Sequence, residues 1–158
     1  MRGKRAKLKT IAKDPVFNSL LVTKLINRTM ISGKKTIAQK HVYRAMERAA
    51  KKVKKEPLEV LEEAVNNIKP RMEVRPRRIG GAAYQIPMSV PNRRQVSLAI
   101  RWLIEAARSR PNKEYHTFAE KLAAEIIAAF SGEGGAIKKR EDTHRMAEAN
   151  KAFSHFRW

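Results

Sequence analysis

The chain has 158 residues, with 35 Lys or Arg against 15 Asp or Glu, a formal net charge of +20, 42% hydrophobic residues and no cysteine. A chain of this length buries about 70% of its unfolded surface on folding, enough for one real core, so uniform disorder is excluded even though individual segments can lack structure. The missing cysteines exclude a disulfide framework and a finger-type zinc site. The longest apolar runs fall short of the ~20 residues a membrane-spanning helix needs, and the basic N-terminus lacks the apolar stretch of a secretory signal. An excess of this size asks for a polyanionic partner, nucleic acid before anionic lipid.

Residues 1–13 carry six basic groups and no acid, which predicts a disordered basic arm ahead of a helical domain over 14–158. After Asp14-Pro15, Phe17, Leu20, Leu21, Leu25 and Met30 recur at helical spacing until Gly33, predicting a first helix. Thr36 with Gln39 has the spacing of a capping box, and Ala38, Val42, Ala45, Met46, Ala49 and Val53 form the apolar stripe of a second helix. Pro57 suits the first turn of a third, which Pro70 closes. The period then switches to two. Met72 and Val74 alternate with Arg71, Glu73, Arg75 and Arg77, Gly80-Gly81 offers a turn, and Ile86, Met88 and Val90 alternate on the return. This predicts a β-hairpin at about 71–90 that its prolines confine to a free-standing arm, although Pro76 argues against a regular ladder. Asn92 with Gln95 opens a fourth helix, a fifth runs from about Lys113 to Gly132, Gly132–Gly135 forms a joint, and a thinly apolar sixth spans roughly Ile137 to Asn150. The fold class is therefore mainly α: about six helices with a protruding hairpin between the third and fourth.

No catalytic constellation emerges. The histidines at 41, 116, 144 and 155 are not paired with a nucleophile or with each other, and Gly33-Lys34-Lys35-Thr36 lacks the first glycine and the preceding strand of a phosphate-binding loop. The sequence therefore predicts no enzyme, no cofactor and no metal. Its basic residues are better ordered. Arg94, Arg101 and Arg108 recur every seven residues on one face of the fourth helix, with Arg93 at its N-terminus, where free N–H groups favour phosphate. Arg71, Arg75, Arg77 and Arg78 line the hairpin, where arginine can fork onto phosphate or stack on a base. A solvated surface is the plainer alternative for each. Tyr84 suits either base stacking or an ordinary half-buried tyrosine beside a turn.

Gly33-Lys34-Lys35, Lys69-Pro70-Arg71-Met72-Glu73-Val74-Arg75, Arg77-Arg78-Ile79-Gly80-Gly81-Ala82, Tyr84-Gln85-Ile86-Pro87-Met88, Arg101-Trp102-Leu103 and Arg145 to Ala152 (RMAEANKA) together closely resemble the bacterial-type small-subunit ribosomal protein S-seven family, over essentially the whole chain and in unbroken order. The resemblance implies a helical bundle with a hairpin arm that binds the 3′ major domain of small-subunit rRNA and nucleates assembly of the subunit head. It implies rRNA contacts for Arg2, Lys4, Arg5, Lys7 and Lys9 of the arm, for Lys34 and Lys35, for Arg71, Arg75, Arg77 and Arg78, and for Arg93, Arg94, Arg101 and Arg108. It places the hairpin tip, Gly80, Gly81, Ala82 and Tyr84, beside exiting mRNA and E-site tRNA, with Lys138, Lys139 and Arg140 also facing tRNA. Neighbouring ribosomal proteins of the head and platform are the implied protein partners, with no membrane, and the implied location is a cytoplasmic ribosome, with an organellar one as the alternative. Three rivals stand beside this reading: an architectural DNA-binding protein, an RNA-modifying enzyme without a visible site, and a membrane-surface polycation.

Overall fold

A computed structural model of the chain describes Gly3 and residues 10–156. The arm residues Arg2, Lys4, Arg5, Lys7 and Lys9 lie outside the described residues, as do Arg157 and Trp158. Six α-helices, α1 (Leu20–Thr29), α2 (Lys35–Val53), α3 (Pro57–Ile68), α4 (Asn92–Ser109), α5 (Phe118–Phe130) and α6 (Gly135–Ala149), are joined by a two-stranded sheet, β1 (Met72–Ile79) and β2 (Ala82–Ser89), and followed by a 3-10 helix at Lys151–Phe156. The mainly helical class and the hairpin between α3 and α4 match the sequence reading.

The core is one cluster. Val22, Leu25 and Ile26 of α1, Val42 and Met46 of α2, Leu61 and Ile68 of α3, Leu103 of α4 and Leu122 and Ile126 of α5 are all buried within it. Helix α5 occupies the middle, against α2, α3 and α4, which accounts for its being the most apolar of the helices.

Local chemistry sets several boundaries that periodicity misplaced. The first helix starts at Leu20 rather than at Phe17: the Asp14 carboxylate accepts the N–H groups of Val16 and Phe17 at 3.1 Å each, Asn18 takes a positive φ, and Ser19 caps the helix by accepting from Leu21 N–H. The Thr36–Gln39 capping box does not form, because the helix begins at Lys35, one residue earlier, with no side-chain cap. Nor does Asn92 cap α4. Pro91 occupies that position, and Gln95 instead donates to the Val90 carbonyl. A reciprocal capping box is present at Thr117 and Glu120, starting α5 five residues after Lys113, so that Tyr115 precedes the helix.

The hairpin ladder is regular, contrary to the expectation from Pro76. The register runs without a bulge from Met72↔Ser89 to Ile79↔Ala82, with Pro76 opposite Gln85. A two-stranded sheet has only edge strands, so a proline can turn its missing donor outward without costing a rung. Gly80 and Gly81, both at positive φ (56° and 91°), make the two-residue turn.

Candidate nucleic-acid interface

The side chains at the base of the hairpin depart most from the alternation read in sequence. Glu73 is grouped there with the exposed arginines, yet it is buried (6% exposed). Its carboxylate accepts from Arg75 Nε at 2.7 Å and from Arg94 Nε at 2.8 and 2.9 Å. Burial alone would raise its pKa, but the hydrogen bonds from Arg94 and Arg75 and their charges outweigh that cost and hold it below the usual carboxylate range. Arg75 and Arg94 are thus brought together by a shared anion that fastens the arm to the start of α4. Each stays about half exposed, so the outer edges of the two guanidinium groups still face solvent.

Arg93, next in line, points elsewhere. It lines a cleft of about 280 Å³ between α1 and α4 with Lys24, Arg28, Asn27, Ser97 and Ile100. Arg101 lies on α4 one turn beyond Ser97 and is exposed. Lys24, Arg28, Arg93 and Arg101 form no ion pair among the described residues, so no described carboxylate neutralises them. Lys24 and Arg28 were missed in the sequence. Their i,i+4 spacing was available as a signal, but only the packing of α1 beside α4 turns it into a shared basic wall.

A second basic cleft, about 390 Å³, lies between the end of α3, the start of β1 and α6, lined by Lys69, Arg71, Arg140 and His144 with two asparagines. It unites Arg71 and Arg140, which the sequence reading assigned to different ligands. Arg71 N–H donates to His144 Nε2 at 2.9 Å, which requires that nitrogen to be unprotonated. Burial, and then the charges of Arg140 and Arg71, push the His144 pKa down accordingly. Arg140 also donates to the Asn67 carbonyl and pairs with Glu141, while Lys139 pairs with Glu105 at 2.6 Å. These two groups are therefore partly committed inside the protein, and Lys138 is exposed.

The remaining predicted residues are dispersed. Arg78, Gly80, Gly81 and Ala82 are exposed at the arm's tip, and Arg77 is half-buried on β1. Tyr84 is not presented freely: its ring packs against Phe153 and Phe156 of the 3-10 helix, with centroids 5.2 and 6.1 Å apart. Phe153 and Phe156 thus brace the arm. Lys34 and Lys35 are exposed at the start of α2, and Arg108, at the end of α4, donates to the Thr29 carbonyl. No group of three His, Asp or Glu that could hold a metal occurs among the described residues, and no helix among them is long and apolar enough to cross a membrane.

Fold and charge together define a class: a helical polycation with a two-stranded arm, built to present guanidinium and ammonium groups on several faces. The model of the family "Ribosomal protein S7p/S5e" matches residues 1–151. The chain is 56% identical over 158 residues to the small ribosomal subunit protein uS7 of Thermosipho africanus and 58% identical over 158 residues to that of Thermotoga maritima, covering 100% of both chains in each case. It is 58% identical over 148 residues to the protein of the same name in Dictyoglomus turgidum, covering 94% of this chain and 93% of the relative. The chain belongs to the ribosomal protein S7p/S5e family, and is a ribosomal protein rather than an enzyme.

Proposed function

We propose that this protein is an rRNA-binding structural component of the small ribosomal subunit, seated on the 3′ major domain of its rRNA and nucleating assembly of the subunit head. The observation that carries the reading is the full-length match to proteins named for the small ribosomal subunit, together with the cations of the α1–α4 cleft, which pair with no described carboxylate. Lys24, Arg28, Arg93 and Arg101 grip phosphates there, with Lys34, Lys35 and Arg108 beside them. Arg71, Arg75, Arg77, Arg78 and Arg94 extend the contact along the arm. Such contacts fix position and orientation, whereas recognition of a folded RNA comes from meeting several of its surfaces at once. The basic segment 1–13 adds an arm that orders on the RNA, residues 14–158 acting as one domain. Gly80, Gly81, Ala82 and Tyr84 at the arm's tip, with Lys138, Lys139 and Arg140, lie towards exiting mRNA and E-site tRNA. Neighbouring head and platform proteins complete its surroundings in a cytoplasmic ribosome.

The test is a filter-binding titration against a 3′ major domain fragment, with duplex DNA of equal length as competitor, at several salt concentrations. With about 8 phosphates neutralised, log K falls against log salt with a slope of about −6 to −7. Arg93→Ala combined with Arg101→Ala lowers the slope by about 2 and leaves the helical circular dichroism unchanged. Equal competition by duplex DNA would reduce the protein to an unselective polycation and overturn the reading.

A further inference from the structure

We infer that Glu73 is a positioning residue for RNA: it holds the guanidinium groups of Arg75 and Arg94 as one pincer that grips a single backbone phosphate. This deepens, and rests on, the rRNA-binding reading. Glu73 and Arg75 stand two residues apart on β1 and so share a face of the strand, while Arg94 lies in the first turn of α4. One carboxylate oxygen, Oε1, accepts from Arg75 Nε at 2.7 Å and from Arg94 Nε at 2.9 Å, so the two Nε atoms are no further apart than the sum of those distances. A second contact on each side, Arg75 Nη2 to Oε1 at 2.7 Å and Arg94 Nε to Oε2 at 2.8 Å, fixes the direction in which each guanidinium points.

Two features set this cluster apart from a tie that only fastens the arm. The first is charge. One carboxylate faces two guanidinium groups, and neither arginine pairs with another carboxylate among the described residues, so one positive charge is left over at the cluster. The second is the use of donors. Arg110, which serves the buried Glu125, spends Nε, Nη1 and Nη2 on Glu125, the Tyr115 hydroxyl and the Ala124 carbonyl. Arg94 spends only Nε among the described residues, and its side chain, like that of Arg75, stays about half exposed. The spare Nη groups offer forked donors to an anion that also removes the residual charge, and a phosphate, with its several acceptor oxygens, meets such forks bidentately. A carboxylate of a protein partner would meet the same two groups. The further cations close by in sequence and space, Arg93 with Lys24 and Arg28 in the α1–α4 cleft, instead suit a ligand that repeats its negative charge along a backbone.

Phosphate-ethylation interference on a 3′ major domain fragment bound to the full-length chain, read beside filter-binding titrations in salt, tests this. Glu73→Gln removes a negative charge, which on charge alone tightens binding to a polyanion. With the pincer lost, the expected result is the opposite: a Kd about tenfold higher and a salt slope shallower by about 1. Should Glu73→Gln fold poorly, Arg75→Ala keeps the inference testable, because Arg94 retains both oxygens of Glu73. Interference at one and the same phosphate is expected to vanish in Glu73→Gln, Arg75→Ala and Arg94→Ala with the other positions retained, and Glu73→Gln combined with Arg75→Ala loses little more than either alone. A merely loosened arm would weaken many positions together. That outcome, loss of different phosphates in the Arg75 and Arg94 variants, or tighter binding by Glu73→Gln would overturn the inference while leaving RNA binding intact. Failure of the unsubstituted chain to retain the fragment would instead sink the rRNA-binding reading.

Discussion

Glu125, on the most apolar helix of the molecule, is 1% exposed. One carboxylate oxygen accepts from Arg110 Nε at 2.8 Å and lies 2.8 Å from Arg110 Nη2 in an ion pair, and the other accepts the Ala136 N–H at 3.0 Å, satisfying a donor in the first turn of α6. Removing one partner of a buried pair strands the other, so Glu125→Ala is expected to destabilise the fold by about 3 to 5 kcal/mol in urea denaturation. A loss below 1 kcal/mol would mean that the pair behaves as a surface bridge. The same carboxylate explains Gly134, where an added Cβ would lie 2.9 Å from Glu125 Oε1 and the backbone φ is +98°. The glycine-rich joint is thus a close-packed helix start. Glu73 differs in being tied to two half-exposed arginines. Because its folded pKa is depressed, the stabilisation it brings is complete above its unfolded value of about 4.3 and is lost as pH falls through the lower folded value. Carboxyl-resolved NMR titration should therefore find Glu73 titrating below the range of an unfolded-chain glutamate, with Glu73→Gln abolishing this acid-range loss of stability. Arg94→Ala belongs to the same account. It leaves a buried carboxylate with Arg75 alone, so it lowers stability as well as RNA affinity, and the exposed Arg93 and Arg101 are the cleaner probes of binding.

At the scale of elements, the arm is fastened at both ends by different chemistry. Its base is held by Glu73, by the fully buried Ile86 and by α6, and its outer half by Tyr84 against the C-terminal 3-10 helix. A two-stranded ribbon alone is marginal in water, so these fastenings stabilise it. Tyr84→Ala is expected to speed amide exchange in the outer half of the hairpin by about fivefold, for roughly 1 kcal/mol of lost aromatic packing, with exchange in α2 and α5 unchanged. Uniform acceleration throughout the molecule would show that arm and bundle open together. Helix α6 buries little beyond Ala136, Ile137 and Ala147, and its other ties are polar, including the Arg71 N–H to His144. A histidine whose folded pKa is lowered is protonated first in the unfolded chain. Its contribution is therefore complete above about 6.5 and declines as pH falls from there towards the folded value. Protection of Arg71 N–H and of α6, taken relative to the intrinsic exchange rate at each pH, should fall as pH drops across that window, and His144→Gln, which retains an acceptor, should flatten the dependence.

For the molecule as a whole, a net charge of +20 sets stability and binding in opposition. Like charges repel in the free protein and are screened by salt, so raising salt towards about 0.5 M is expected to increase the Tm of the free chain while weakening its RNA complex. A Tm that falls with salt would show that the internal pairs of Glu73, Glu125 and Glu105 outweigh the global repulsion. Much of this protein was legible in its sequence. The period of the apolar residues, the prolines at 57, 70 and 91 and the glycine pair at 80 and 81 depend only on local geometry, and they determined six helices with an arm between the third and fourth. Composition determined that a polyanion is the natural partner. The sequence could not determine which cations are free, because ion pairing depends on groups brought together from distant segments: Glu73 with Arg94, Lys139 with Glu105, Arg110 with Glu125. Only the tertiary structure decided that Arg93 joins Lys24 and Arg28 across two helices and that Tyr84 is held by Phe153 and Phe156. Periodicity assigns a residue to a face of its own element, whereas the neutralisation and burial of a polar group are decided by what packs against that face.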